Sequence, residues 1–457
     1  MPFAPHGSFR LPAPFKTILL SLMLAAGPLA CSAAPQAPIA PLRDEAFPGV
    51  TGYGAHADGG RGGRIIPVTT LDDSGPGSLR ACIDAEGPRV CVFRVAGVIR
   101  FTSERPIIRN PYITIAGQTA PGGGILLAHD GGPRGLTPLV IKNTHDVIVR
   151  HIRVRPDKRG EIRGSNSAFI IERSHDVVLD HVSSSWSLDE NVGGYAGNDN
   201  VTISSSIFAE GIPRHDKCAL LSSDPEGPQH LTFIGNLCAH NGDRNPDINF
   251  PPKSCVEIVN NVLYNGQSEF AEVWSSYGGT PVSIVGNWFR SGPNTHIGAA
   301  AITRQMVGAK GAPRIYMSGN HIDGTLLPQT PNVAEVVVSQ PPCPLISPVI
   351  PAIEAYERVL NNAGAFPRDS IDRRIVNDVR NRSGSIVSQA GTLPTLDPGI
   401  PYEDDDEDGM SDAWEQANAL DPTLKDSWAD RSQDGWSNLD EFLDFAHREL
   451  LAGRPVR

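Results

Sequence analysis

A short unit recurs through the middle of this chain. "THDVIVRHIRV" (144–154) and "SHDVVLDHVSS" (174–184) share one pattern thirty residues apart. "NDNVTISSSIF" (198–208), "QHLTFIGNLC" (229–238), "SCVEIVNNVLY" (254–264), "PVSIVGNWF" (281–289) and "PRIYMSGNHI" (313–322) follow. Each is a short alternating apolar strand, and four carry an asparagine in the same phase: Asn236, Asn261, Asn287 and Asn320. Self-similarity at roughly 23–33 residues means a solenoid, because one such unit cannot bury its own apolar face. Short strands with polar turns of variable length predict a right-handed parallel β-helix. Asparagines stacked at one corner can bond the backbone of neighbouring coils and so satisfy buried turn groups. Leucine-rich and propeller repeats do not fit, since there is no leucine register and no helix between units.

The texture changes after residue 345. "PAIEAYERVLNNAGAF" puts Ile353, Tyr356, Val359 and Leu360 on one helical face, with Gly364 as a stop. "RDSIDRRIVNDVRNRSG" (368–384) does the same with Ile371, Ile375 and Val379, ending at Gly384. The sequence therefore divides into a β-helix over 45–345, a helical cap over 346–392, a Pro-rich linker over 393–403 and an acidic segment over 404–445. Residues 1–32 read as an export signal, with Arg10 and Lys16 before an apolar run too short to span a bilayer. The expected location is therefore outside the cell or in the periplasm, with Cys31 a less favoured lipid anchor. Six cysteines remain, an even count that permits disulfides in an exported chain. Cys82 and Cys91 bracket a short polar turn and are the expected pair. Cys218, Cys238 and Cys255 fit equally well as buried thiols stacked on successive coils.

Charge is unevenly placed. The net charge is −12, and residues 403–444 hold fifteen acidic against two basic residues, a balance of −13 that leaves the rest at +1. A nearly neutral body does not repel a polyanion, yet it offers no basic face for nucleic acid. Against that background Arg244, in "CAHNGDRNPDINF" between Asp243 and Asp247, reads either as an ion-paired loop arginine or as the centre of an active site.

"FPGVTGYGAHADGGRGG", "SLRACIDAEGPRVCVFRVAGVIR", "ITIAGQTAPGGGI", "VVLDHVSSSWSLDE", "NVTISSSIFAEG", "HDK" and "DRNP" occur in the order found in the pectate lyases of polysaccharide lyase family one, which the chain resembles over about residues 45–325. The resemblance implies calcium-assisted β-elimination on a uronic-acid polysaccharide, pectate foremost. It makes Arg244 the proton acceptor of an R-x-P motif and Lys217 a ligand of the substrate carboxylate. Free guanidinium is effectively always protonated, so a basic Arg244 requires cationic, partly desolvated surroundings. Asp189 falls on a calcium-ligand position, with Glu190 standing in where the second expected aspartate is Gly193. Upstream acids of the family are replaced by Ser165, Asn166 and Ser167, with Asp157 and Glu161 nearby. A second expected arginine is Asn249. Arg214, Arg155, Lys158, Arg159 and Arg163 are basic residues able to line the same groove or simply to face solvent. Asp180 and His181 are expected to play a buried polar role.

The acidic segment has its own pattern. "DDDEDGMSDAWE" puts Asp404, Asp406 and Asp408 at loop positions 1, 3 and 5, Gly409 at 6, Met410 at 7 through its carbonyl, Asp412 at 9 and Glu415 at 12. "DRSQDGWSNLDE" repeats this with Asp430, Ser432, Asp434, Gly435, Trp436, Asn438 and Glu441. Both match an EF-hand calcium loop. Trp414, Leu420, Trp428, Trp436, Leu439 and Phe442 are available for a small core. The spacing is similar to that of dockerin-like or thrombospondin-type modules, a structural staple or a docking site for a partner. The whole reads as a monomeric, exported polysaccharide lyase with Ca2+ as cofactor, an acidic polysaccharide as partner and no transmembrane segment. The alternatives are a lyase on another uronate polymer, or a catalytically silent carbohydrate-binding or adhesive β-helix.

Overall fold

The structure, a computed structural model, describes residues 43–130, 137–157, 166–213 and 215–457. Three parallel sheets of ten, nine and nine strands wind into a right-handed β-helix in which each coil gives one strand to each sheet. One coil runs through His175–Asp180, Ser183–Ser185 and Glu190–Tyr195, and the next through Asp199–Ser204, Ile207–Ala209 and Lys217–Ser223. Equivalent side chains stack along the axis. Val177, Val201, Leu231, Val256 and Val282 occupy one inward row. Each such burial is worth about 1.5–3 kcal/mol, so the alternation read in the sequence is the core itself.

The corner between the first two strands of a coil is turned by one left-handed residue: His151, His181, Ser205, Gly235, Asn260 and Gly286 all have φ between 47° and 67°. The residue after it closes the corner. Asn236 N–H donates to Asn261 Oδ1 at 2.9 Å, Asn261 N–H to Asn287 Oδ1 at 2.9 Å, and Asn287 N–H to Asn320 Oδ1 at 3.0 Å. The side-chain amides donate to Ile203, Phe233, Ile258 and Ile284 carbonyls. The stacked asparagines do what their phase in the sequence predicted. Ser206 continues the ladder, its hydroxyl accepting from Val182 N–H at 3.0 Å.

The helices Ala352–Asn362 and Ser370–Asn381 lie along a flank, not across an end. Tyr356, Val359, Ile375 and Val379 pack on Ile207, Leu237, Val262 and Trp288, which project outward from the second sheet. Arg155 is fully buried beneath them and binds Asp369 and Asp372, so it does not line a groove. Lys158, Arg159, Glu161, Arg163, Ser165, Arg214 and the leader with Cys31 fall outside the described residues.

From residue 43 onward the described chain is one compact unit. Met410, Trp414, Leu439 and Phe442 pack on Val90, Val92 and Ala116 of the first coils. Arg61 pairs with Asp440 at 3.3 Å, and Trp428 Nε1 donates to the Gly63 carbonyl at 2.9 Å. His447, on the helix Asn438–Leu451, meets His151 at 2.9 Å. Asp180 and His181 are buried and bonded to each other, with Arg150 and Ser204 also on Asp180. Disulfides join Cys82 to Cys91, Cys218 to Cys238 and Cys255 to Cys343, so the later cysteines are paired and not free thiols.

Truncating a ladder asparagine should expose its cost. Asn261→Ala orphans the buried Asn236 N–H and Phe233 carbonyl, at about 1–3 kcal/mol for each group. Urea unfolding should therefore show a loss of roughly 2–5 kcal/mol. A loss within experimental error would mean that strand pairing alone fixes the corner.

Candidate active site

Stacking carries charge as well as apolar side chains. In the third sheet Glu190 is in register with Lys217, Leu220 with Asp247, and Asp247 with Glu272. The loop that enters the strand Asp247–Ile248 carries Arg244, itself left-handed at φ 49°. Its Nη1 donates to Glu190 Oε1 at 2.5 Å, its Nε lies 3.4 Å from Asp247 Oδ2, and its backbone N–H donates to Glu272 Oε1 at 2.7 Å. Lys217, one coil earlier, pairs with Asp243. The two cations named from the sequence thus meet at one surface, joined through the acids around them.

Glu190 is 1% exposed. It binds Arg244 with one oxygen and takes Ser167 Oγ at 3.2 Å and Tyr195 OH at 3.1 Å on the other. It is a partner of the arginine more than an open cation ligand. Gly193 has a local cause: a Cβ there would come within 2.8 Å of the Tyr195 ring and 3.1 Å of Ser167 Oγ. Asp189 stands beside Glu190 with Oδ1 3.1 Å from His215. Asp157 binds Arg100 instead of the groove.

The electrostatics run against a basic arginine. Burial pulls the Arg244 guanidinium down, but Asp247, Glu190, Asp243 and Glu272 outweigh it and hold its pKa above the ordinary value. The carboxylates feel the converse. Burial and then Glu190 push Asp189 up to about 8. Burial also raises Asp247, with Glu190 and Asp243 adding to it against Arg244. Burial, Asp247 and Glu269 raise Glu272. Asp247, Glu269 and Glu272 were not singled out from the sequence as site residues. Asp247 flanks Arg244, but Glu269 and Glu272 arrive from the next coil, a proximity that only the register creates.

The C-terminal loops differ from each other. Oxygens of Asp404, Asp406 and Asp408 lie within 4.8 Å of one another, as do those of Asp408, Glu415 and Asp426. Glu415 is fully buried with neither carboxylate oxygen hydrogen-bonded, and Asp406 Oδ2 is likewise buried and unbonded. This is the donor chemistry of a hard cation. Asp426 lies outside the twelve-residue pattern, so the loop motif alone does not find it. Asp412 Oδ1 instead accepts from Asp405 N–H at 2.9 Å, and Met410 is buried in the core. In the second loop Asp430 accepts from Gly435 N–H and Asp434 from Trp436 N–H, both at 3.0 Å, and Ser432 Oγ turns to Asp430 at 3.4 Å. Asn438 binds Asp426, and Glu441 faces Arg431 at 3.7 Å. Among the described residues, the first loop gathers clustered carboxylates and the second does not.

Burial and the charges of Asp408, Asp406 and Asp412 push the Glu415 carboxyl up to about 8. A carboxyl whose pKa rises on folding contributes stability that is complete below its unfolded value near 4. That stability is lost as pH climbs through the folded value. The melting temperature of chelator-treated protein should therefore fall between about pH 5 and 8. The fall should be shallower in Glu415→Gln, by at most about 1.4 kcal/mol per pH unit. Identical slopes would place Glu415 in contact with solvent.

No protein-family model matches the chain. Curated relatives do. The probable pectate lyase C of Neosartorya fischeri is 35% identical over 400 residues, covering 84% of this chain and 89% of its own. That of Emericella nidulans is 34% identical over 417 residues, covering 86% and 91%. Among solved structures, Jun a 1, the major allergen from cedar pollen, superposes with a TM-score of 0.53 at 18% identity, covering 69% of this chain and 92% of that one. A pectate lyase solved to explain substrate specificity and an anti β-elimination mechanism gives 0.51 at 15%, covering 69% and 96%. The solved structures share the fold, and the curated relatives align with most of the sequence that builds it. On that likeness, sustained over more than four-fifths of its length, the chain belongs to the pectate lyase family.

Proposed function

We propose that this enzyme cleaves a pectate-like polyuronate by β-elimination, with Arg244 and Lys217 as its catalytic residues. The observation that carries the reading is their convergence from successive coils onto one surface, in a chain 35% identical to a probable pectate lyase. In this elimination the proton on the carbon beside the uronate carboxylate leaves. That proton passes to a base, a role open to Arg244 once its carboxylate neighbours are neutralised. The C–H electron pair becomes a double bond to the adjacent carbon, whose bond to the glycosidic oxygen breaks, and the departing oxygen takes a proton from water. Negative charge builds on the carboxylate side, where preorganised cations stabilise it most. Lys217, when released from Asp243, presents an ammonium to that carboxylate. Arg244 presents a planar, multi-donor cation to the same group.

Held among four carboxylates, Arg244 stays protonated and is suited to binding the enolate charge. It becomes a proton acceptor only when those neighbours are neutralised, which ties its basicity to cation binding. Bound calcium would supply charge that acidifies the carbon-bound proton. In the groove Asp189 is the sequence-named carboxylate best placed to hold it, since Glu190 is engaged by Arg244. In the C-terminal segment the first loop would hold a second ion through Asp404, Asp406, Asp408, Glu415 and Asp426. There it acts as a staple over the first coils, which accounts for the segment without a docking partner. Three disulfides fit an exported chain, and we read it as an extracellular or periplasmic monomer.

Digestion of polygalacturonate should generate near-ultraviolet absorbance from an unsaturated, non-reducing end; new ends without that absorbance would make the enzyme a hydrolase. Arg244→Ala should lower kcat by at least about a hundredfold, the scale of losing one preorganised donor. Circular dichroism should show the coil still folded, at a melting temperature lowered by the unpaired Glu190 and Asp247. Arg244→Lys separates charge from geometry: recovery near wild type would mean that charge alone suffices, whereas a loss close to that of alanine supports the planar contact. An alanine variant with unchanged kcat reduces Arg244 to a loop ion pair. For the staple, calcium should raise the melting temperature of the full chain by more than that of Glu415→Gln, and equal shifts in both would remove the first loop as a site.

A further inference from the structure

A cavity of about 360 Å³ lies over the corner between the first and second sheets, away from the third sheet that carries Arg244. Three elements close around it: residues 47–51, the helix Ala352–Asn362 and the helix Asn438–Leu451. Its floor is the row of corner residues that includes His181, Ser205 and Gly235. The histidine tautomers there are fixed by their partners. Phe366 N–H donates to His151 Nδ1 at 3.1 Å, so the His151 proton sits on Nε2 and is given to His447 Nδ1 at 2.9 Å. Both His151 nitrogens are thereby used, which leaves the neighbouring rings of His151, His181 and His447 one ligand short of a metal centre. His447 in turn carries its proton on Nε2. His181 donates Nδ1–H to Asp180 Oδ2 at 2.8 Å, which leaves its Nε2 as an acceptor. His181 is 6% exposed, and its Nε2 has no partner among the described residues. Burial holds His151 well below the usual imidazole range and pulls His447 down to about 2, so this pair stays neutral.

Charge selects the ligand. Arg150, Arg358 and Arg448 line the cavity against Asp180 and Asp444, three guanidinium groups to two carboxylates. Arg150 is paired with Asp180 at 2.9 Å and Arg448 with Asp444 at 3.1 Å. Arg358 is exposed and has no ion pair among the described residues, so one positive charge is left over. Phe47, Ile350 and Val359 supply apolar wall. We propose that this cavity binds a hydroxy acid of monosaccharide size, such as a single uronate, whose carboxylate meets Arg358. Its hydroxyls meet His447 Nε2–H and His181 Nε2, accepting from the first and donating to the second. Ligand pockets run from roughly 300 to 1,000 Å³, so this volume suits one sugar ring and not a polymer. A guanidinium holds a carboxylate through two parallel hydrogen bonds, which makes Arg358 the selector. That the acid is a fragment of the polymer rests on the lyase reading given above; the site itself does not. Once bound, the ligand joins residues 47–51 and both helices to the corner, and it stabilises the folded protein by mass action.

Calorimetric titration of the full-length protein with D-galacturonate tests this. A saturable component is expected, with a raised melting temperature. Galactose lacks the carboxylate and acetate lacks the hydroxyls, so each should bind at least about tenfold more weakly, the scale of losing one charge-assisted hydrogen bond. Arg358→Ala should weaken the galacturonate component by a similar factor. Its melting temperature without ligand should equal that of the wild type, since this exposed arginine has no partner to lose. Galacturonate could also enter the groove, and Arg244→Ala identifies that share: the component that Arg358→Ala removes should survive in Arg244→Ala. The titrations contain no polymer, so a failed elimination assay leaves them untouched. The proposal is overturned if Arg358→Ala leaves all binding intact, or if nothing saturates by about 100 mM. Galactose binding as tightly as galacturonate would remove the role of charge, and acetate doing so would reduce the site to one for any small anion; either result also overturns it.

Discussion

The register of the coils depends on the corner where a left-handed residue is followed by a hydrogen-bonded asparagine. Parallel strands can slide by two residues and still satisfy alternation. What forbids it here is that the side chains of Asn236, Asn261, Asn287 and Asn320 each accept from one backbone N–H of the preceding coil and donate to one of its carbonyls. With the corner fixed, every row along the axis is fixed. The aliphatic rows then form the core, and the row holding Glu190 and Lys217 and the row holding Asp247 and Glu272 become columns of charge.

That rigidity explains why the groove tolerates so much like charge. In a flexible loop six carboxylates would turn apart toward water. On a sheet they stand about 4.8 Å from their neighbours in the next strand, and several are buried. The fold therefore gathers like charge at one surface, around Arg244 and Lys217. Arg244 sits at the middle of this arrangement, and Asp247, Glu190, Asp243 and Glu272 reinforce the charge that a guanidinium already carries.

The solenoid was legible because its physics is local and periodic: alternation of apolar residues and the phase of one asparagine. The flank helices were legible by the same means, although their seat beside the second sheet depends on outward residues such as Ile207 and Leu237, which look like ordinary strand positions. Arg244 and Lys217 converge as their spacing of one coil implied. What the sequence hides is lateral contact. Glu272 is twenty-eight residues from the Arg244 backbone it binds, Tyr195 fills the space opposite Gly193, and Asp426 joins a loop whose motif ends at Glu415. The two C-terminal loops are nearly equivalent as strings. They differ once Arg431 and Asp426 reach across to Glu441 and Asn438.

The C-terminal segment closes on coils made at the start of the chain, with Arg61 and Asp440 separated by 379 residues. Contacts of such sequence distance cannot form until the C-terminal segment itself has been made. Val90, Val92 and Ala116 therefore present an uncovered apolar strip for most of the time the nascent chain is growing. A solenoid can add coils one after another, each templated by the last, but this one is covered there only by residues from Tyr402 onward. A chain stopped short of residue 400 would thus complete its winding while keeping the adhesive surface of an intermediate.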